Sequence, residues 1–125
     1  MDLTASVRFL DEVPDENLTA LYRGAVTFVL LSHYEGFGLP VLEAMASGVP
    51  VVAAQATALT EVVGDAGLLV PADDPDLTVA ELLRVIPGGD MRQACLEKGL
   101  ARARSFSWER AAAATLQVYR EVHTE

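Results

Sequence analysis

Apolar positions along the chain follow two periods in turn. Short β-branched runs suited to strands alternate with segments whose apolar residues recur at helical spacing, and that order predicts βαβ units around a parallel sheet. "VRFL", from Val7 to Leu10, reads as the first strand. In "PDENLTALYRGA", Asp15 caps a helix whose apolar face carries Leu18, Leu21 and Tyr22. "VTFVLLS" is apolar almost throughout from Val26 to Leu31, as expected of a central parallel strand covered on both faces, so the sheet core is placed there. Pro40 suits the first turn of the next helix and Gly48 its left-handed exit, which keeps that helix short. "VPVVAA" and "GLLV" supply two more strands, with a helical turn from Thr60 to Val63 between them. Beyond Pro71 the pattern is helical: near Leu77 to Ile86, from about Asp90 to Ser105, and from Ser107 to His123. Ser107 caps the last of these, in which Ala111, Leu116, Tyr119 and Val122 lie near helical spacing. The fold class is α/β, three-layered, with a parallel sheet of about four strands and helices on both faces.

Length and composition narrow this picture. With 125 residues, of which 51% are apolar, the chain makes one domain with a real core. No apolar run approaches the ~20 residues of a membrane span, and the opening "MDLTASVRFLDE" lacks the basic flank and apolar centre of a secretion signal, so a cytoplasmic location is expected. The formal charge of −9 disfavours nucleic acid and anionic membranes as partners. Arg102 and Arg104 in "ARARSF" read as a solvated helix end. The lone cysteine, Cys95, excludes a disulfide framework and reads as a helix-face residue; no His, Cys and carboxylate cluster has ligand spacing, so no metal site is expected.

Candidate chemistry gathers in "SHYEGFGLPVLEAMASGVPVV", from Ser32 to Val52. Ligands of doubly wound sheets sit beyond the carboxyl ends of the strands, and the loop from Ser32 to Leu39 leaves such an end. Gly36 and Gly38 allow close backbone approach, and the amides of Phe37, Gly38, Leu39, Val41 and Leu42 around the helix start suit an anion such as a diphosphate. Glu43 is placed in the first helical turn on the polar side with Ser47, while Leu42, Met45 and Ala46 face the core. A carboxylate there accepts two hydrogen bonds and matches a vicinal diol such as ribose. Either glutamate alone reads as readily as a helix-dipole or loop residue. Glu35 and Glu43 eight positions apart, the Gly-Phe-Gly turn, Pro40 and Gly48 together form a specific constellation.

"EGFGLPVLEAMASGVPVV" resembles the Glu-x7-Glu signature of glycosyl transferases group 1, the retaining, nucleotide-sugar-dependent enzymes of GT-B fold. "VRFLDEVPDENLTALYRGA", "LTEVVGDAGLLVPADDPD" and "FSWERAAAATLQVYREV" are similar to family sequence as well, so the resemblance covers nearly the whole chain. It implies a Rossmann-like, truncated C-terminal domain of a GT-B fold, with residues 1–125 forming a partial nucleotide-sugar-binding domain. The implied function is donor binding in retaining transfer of a hexose from a nucleoside diphosphate sugar to an acceptor. By the same resemblance Glu43 binds the ribose hydroxyls and Glu35, the catalytic position, lies beside the transferred sugar. Gly36, Phe37, Gly38 and Leu39 contact sugar hydroxyls and diphosphate. No metal or other cofactor is implied; the nucleoside diphosphate sugar is substrate.

The family's acceptor domain and its diphosphate-gripping first strand and helix have no counterpart in the sequence, which implies weak donor binding and little activity for the chain alone. The "VRFL" side is then expected to be an exposed sheet edge that pairs with a second copy or a partner chain. A non-catalytic interaction module is the alternative. Asp74 and Asp76 form an Asp-x-Asp, with Asp76 read as a helix cap; His33 reads as packed or solvated, and Trp108 as packing the last helix onto the sheet. Glu61 matches a glutamate common in the family, with no chemical role assigned. A phosphoacceptor domain is disfavoured because Ser32 stands where its aspartate is needed, although Asp11 and Glu12 follow the first strand.

Overall fold

A computed structural model describes residues 3–123. Helix α1 (Asp15–Gly24) leads to strand β1 (Phe28–Leu30), α2 (Leu39–Ala46), β2 (Val51–Ala54), α3 (Thr57–Val63) and β3 (Leu68–Val70); α4 (Pro75–Val85), α5 (Asp90–Arg104) and α6 (Trp108–His123) follow. All pairing is parallel, with Phe28 opposite Val51 and Leu30 opposite Ala53, then Val52 opposite Leu68 and Ala54 opposite Val70. The order β1-β2-β3 follows the sequence, and helices flank the sheet on both sides, giving the expected Rossmann-like α/β class.

Among the described residues the sheet has three strands rather than about four, because Val7 to Leu10 forms no strand. That segment is exposed, with Phe9 at 93%, and the amides of Ser6 and Val7 turn back onto the Leu3 carbonyl. No described strand lies beside it, and an extended segment without a neighbour has no ladder in which to place its N–H and C=O groups. The centre of the sheet is β2, all four residues of which are buried. Strand β1 is shorter than the Val26 to Leu31 run and lies at an edge, leaving Val26 and Val29 exposed. An apolar run signals burial; the order of strands decides which run is central.

Helix ends follow local chemistry. Pro14 occupies the cap position of α1, so Asp15 is its first residue rather than its cap, and Asp15 and Glu16 oppose the dipole from within the first turn. Asp74, not Asp76, caps α4, its carboxylate accepting from the Leu77 amide at 2.9 Å. Ser107 caps α6 as expected, accepting from the Arg110 amide at 3.2 Å. Helix α3 starts at Thr57, three residues before the expected turn.

Helix α2 supplies the knob of the core. Val41, Ala44 and Met45 are buried against β2 and against Leu59, Val62 and Val63 of α3. Ala46 is exposed, and Ala44 takes the inward place expected of it. Across α2 lies α5, where a Cβ on Gly99 would meet Met45 Cγ at 3.4 Å, an ordinary van der Waals contact, so the two helices lie side by side at this point. Cys95 is buried on the same helix, and burial pushes its thiol up, away from the reactive thiolate. Arg92 donates to the Val26 carbonyl and ties α5 to the start of β1.

Helix α6 buries none of its residues. Trp108 is 78% exposed and does not pack onto the sheet; with Tyr119 and Val122 it belongs to an apolar stripe that stays largely exposed. A helix stays amphipathic in sequence whether or not its counterpart is present.

Truncating Met45, 1% exposed, should expose the weak point of this arrangement. Met45→Ala is expected to cost about 2–5 kcal/mol, read from the urea midpoint at constant slope; a loss below about 1 kcal/mol would show that α2 is not the centre of the core.

Candidate functional site

The site is assembled where β1 ends at Leu30 and the chain turns into α2. Gly38 makes that turn possible. Its φ of +92° lies in the region that glycine tolerates, and a Cβ added there would stand 2.6 Å from Leu59 Cδ2. It occupies the cap position of α2, and its carbonyl accepts the Val41 amide at 3.0 Å. The Val41 amide is thus engaged inside the turn and leaves the set expected to face an anion. Gly36 lies in open space.

Phe37 is tied down from another element. Its ring meets Phe106 edge-on, with centroids 5.9 Å apart, and the Arg102 guanidinium lies 4.9 Å from the Phe106 centroid. Arg102 also donates to the carbonyls of Val62 at 2.9 Å and Glu61 at 2.6 Å. It is therefore not a solvated cation as the sequence suggested: it caps the carboxyl end of α3 and supports the ring beneath the turn. Arg104 is exposed. Glu61 contributes its backbone carbonyl to this contact.

Glu35 is half-buried, and Thr57 holds its backbone from both sides. The Glu35 amide donates to Thr57 Oγ1 at 3.2 Å, and the Thr57 hydroxyl donates to the Glu35 carbonyl at 3.3 Å. Thr57 has φ +37°, the only positive value outside glycine among the described residues. A β-branched residue is strained there by about 1–3 kcal/mol.

Glu43 stands at the fifth position of α2, just past the first turn in which it was expected, and is exposed. Tyr22 on α1 donates its hydroxyl to Glu43 Oε2 at 2.9 Å. The Tyr22 ring is itself fixed, meeting Phe28 edge-on at 5.6 Å and 61°. Burial first, then the hydrogen bond and the charge of Glu43, push the Tyr22 phenol up from 10.0 to about 12. The sequence pattern put Tyr22 on the apolar face of its helix, which it is, but gave no sign that its hydroxyl reaches Glu43. Thr57 carried no signal either, because its role depends on backbone angles.

Between α2 and the junction of α5 with α6 lies a groove of about 760 Å3, lined by Phe37, Leu39, Leu42 and Glu43 on one side and by Phe106 and Trp108 on the other. The sequence-predicted residues Phe37, Leu39 and Glu43 therefore share one concavity, and Glu35 lies outside it. His33 pairs with Asp73 at 3.2 Å, both largely exposed, a surface contact of small energetic weight. Among the described residues no group of three or more His, Cys, Asp and Glu side chains is placed to hold a metal ion, and no helix is long and apolar enough to cross a membrane.

A parallel α/β sheet with helices on both faces, and a glycine turn between two carboxylates after its first strand, defines an α/β domain of Rossmann-like class. The chain belongs to the glycosyl transferases group 1 family, whose model matches residues 1–102. It is 48% identical over 114 residues to O-antigen chain mannosyltransferase B of Escherichia coli, covering 91% of this chain and 30% of that protein. It is 39% identical over 123 residues to D-inositol 3-phosphate glycosyltransferase of Salinispora arenicola, covering 97% of this chain and 28% of that one. The solved sucrose-phosphate synthase of Thermosynechococcus elongatus superposes with a TM-score of 0.85 at 31% identity, over 98% of this chain and 31% of that one. The chain thus spans about three tenths of the length of these relatives.

Two glycines of one turn should respond differently to the same change. Gly38→Ala is expected to lose about 1–3 kcal/mol in urea unfolding, whereas Gly36→Ala stays within about 0.5 kcal/mol of wild type; equal effects would refute the backbone argument.

The raised Tyr22 phenol also predicts a pH dependence. The folded chain holds this proton more tightly than the unfolded chain, so the contribution is complete below pH 10 and is lost as pH rises toward about 12. Tyr22→Phe should lack that alkaline loss in matched thermal scans, and parallel curves for the two proteins would refute it.

Proposed function

We propose that residues 1–125 act as a partial donor-binding domain of a retaining glycosyltransferase that moves a hexose from a nucleoside diphosphate sugar to an acceptor. The observation that carries this reading is the placement of Glu35, the Gly-Phe-Gly turn and Glu43 beyond the carboxyl end of β1 in a chain of this family. In this reading Glu43 accepts from the ribose diol. The backbone of Gly36, Phe37, Gly38 and Leu39 lies against sugar and diphosphate, and Glu35 orients the transferred sugar. The leaving diphosphate takes the electron pair of the anomeric C–O bond, and the acceptor oxygen attacks from the same face and passes its proton to that diphosphate. The names of the relatives put mannose among the sugars to try first. Carboxylates cannot offset the charge of a diphosphate, so in this reading the chain binds donor weakly and transfers little alone, in the cytoplasm.

Support for a second reading comes from the free edge of β1, which suits a subunit that pairs with a chain carrying the acceptor half. Co-purification from the native source with a glycosyltransferase-like partner favours it, and repeated recovery of the chain alone counts against it.

Ligand-observed NMR with UDP, GDP and ADP tests the donor site directly. Saturable binding that prefers one nucleotide and weakens about tenfold or more in Glu43→Ala is the expected result, since a hydrogen bond to a charged group contributes about 1.5–3 kcal/mol. A folded wild-type chain that binds none of them at millimolar concentration would refute the assignment.

A further inference from the structure

We infer that Tyr22 is a positioning residue of the donor site: its hydroxyl, bound to Oε2 of Glu43, fixes the carboxylate that meets the ribose diol and so sets selectivity for ribose over deoxyribose. The inference rests on the donor-site reading of Glu43. Its geometric basis is independent of that reading. Glu43 is exposed on α2, and an exposed glutamate ordinarily samples many rotamers, each of which must be given up when a diol is gripped. Tyr22 removes that freedom beforehand. Its ring is half-buried and set edge-on against Phe28 at the start of β1, so a rigid side chain carried by α1 and β1 reaches across 21 residues of sequence to one carboxylate oxygen.

The chemistry leaves room for substrate. An ionised carboxylate offers about four lone-pair positions on two oxygens, and Tyr22 uses one of them. Oε1 and the second position on Oε2 are left for two vicinal hydroxyls. A tyrosine hydroxyl that donates to the carboxylate also fixes the direction in which those positions point, which a water in its place would not. With the phenol held up to about 12, Tyr22 remains a donor throughout the neutral range. The contact makes no use of the diphosphate, so the consequence is confined to the sugar of the nucleoside.

The test compares wild type, Tyr22→Phe and Glu43→Ala. For each, Kd is measured by ligand-observed NMR for the best-bound of UDP, GDP and ADP, for its 2′-deoxy form, and for inorganic pyrophosphate; circular dichroism checks folding. Wild type is expected to prefer the ribonucleotide. Tyr22→Phe should lose most of that preference, by about tenfold, and approach Glu43→Ala, with the pyrophosphate Kd unchanged in both. If Glu43→Ala erases the preference and Tyr22→Phe retains it, the positioning role is overturned and the donor-site reading stands. If Glu43→Ala leaves the preference intact, or no nucleotide binds, the donor-site reading fails and the inference falls with it. Ultraviolet titration of the tyrosines checks the contact separately: the phenol near 12 should move toward 10 in Glu43→Ala, and an unmoved titration would overturn the hydrogen bond itself.

Discussion

Helix α2 is clamped on three sides, and the placement of everything around it depends on that clamp. Its inner face meets β2 and α3 through Val41, Ala44 and Met45, while α5 closes over it where Gly99 lacks a side chain. Close packing of this kind leaves no slack along the helix axis, because a shift of one position would bring Glu43 inward and Ala44 outward. The last residue of the turn and the first carboxylate-bearing turn of helix are therefore located by the densest part of the molecule. The hydrophobic core and the polar site are two faces of one short helix.

The polar face is held by contacts that come from elements distant in sequence. Thr57 at the start of α3 binds the backbone of Glu35, Tyr22 on α1 binds the carboxylate of Glu43, and Phe106 beyond α5 supports Phe37 between them. Each tie commits a group locally: a strained threonine, a phenol whose proton is held by a carboxylate, an arginine whose donors go to backbone carbonyls. Strain and spent donors of this sort persist where surrounding structure over-determines them, and a turn fixed in advance loses less freedom when a ligand arrives. Arg102 illustrates the trade. It is the basic side chain beneath the turn, and because it caps α3 it holds the loop rather than an anion.

Much of this was legible in the sequence where the signal is local. Pro40 and Gly48 bound α2 nearly to the residue, the "VPVVAA" run became β2, and Ser107 caps α6, because each depends on backbone chemistry within a few positions. The strand expected at Val7 to Leu10 failed for a non-local reason: strand-prone residues such as Val7 and Phe9 make a segment ready to pair and cannot supply a neighbour. Trp108 misled in the same way, since an aromatic at a helix start signals that something is to be covered and not which element covers it. The turn between the glutamates was readable as a site, while its supports were not. Tyr22 is an ordinary apolar-face residue by spacing and Thr57 an ordinary helix-start threonine, and only three-dimensional proximity gives each its second function.

Gly38 carries a consequence for how such a sequence can change over time. Any amino-acid replacement of a glycine introduces a side chain, and here every side chain begins with an atom 2.6 Å from Leu59 on a backbone at φ +92°. A smaller residue at position 59 would remove the collision and leave the unfavourable backbone angle untouched, so no compensating partner clears the way. The position has no neutral neighbours one mutational step away. Replacement is better accommodated at Gly36, two residues earlier, where the surrounding space is open.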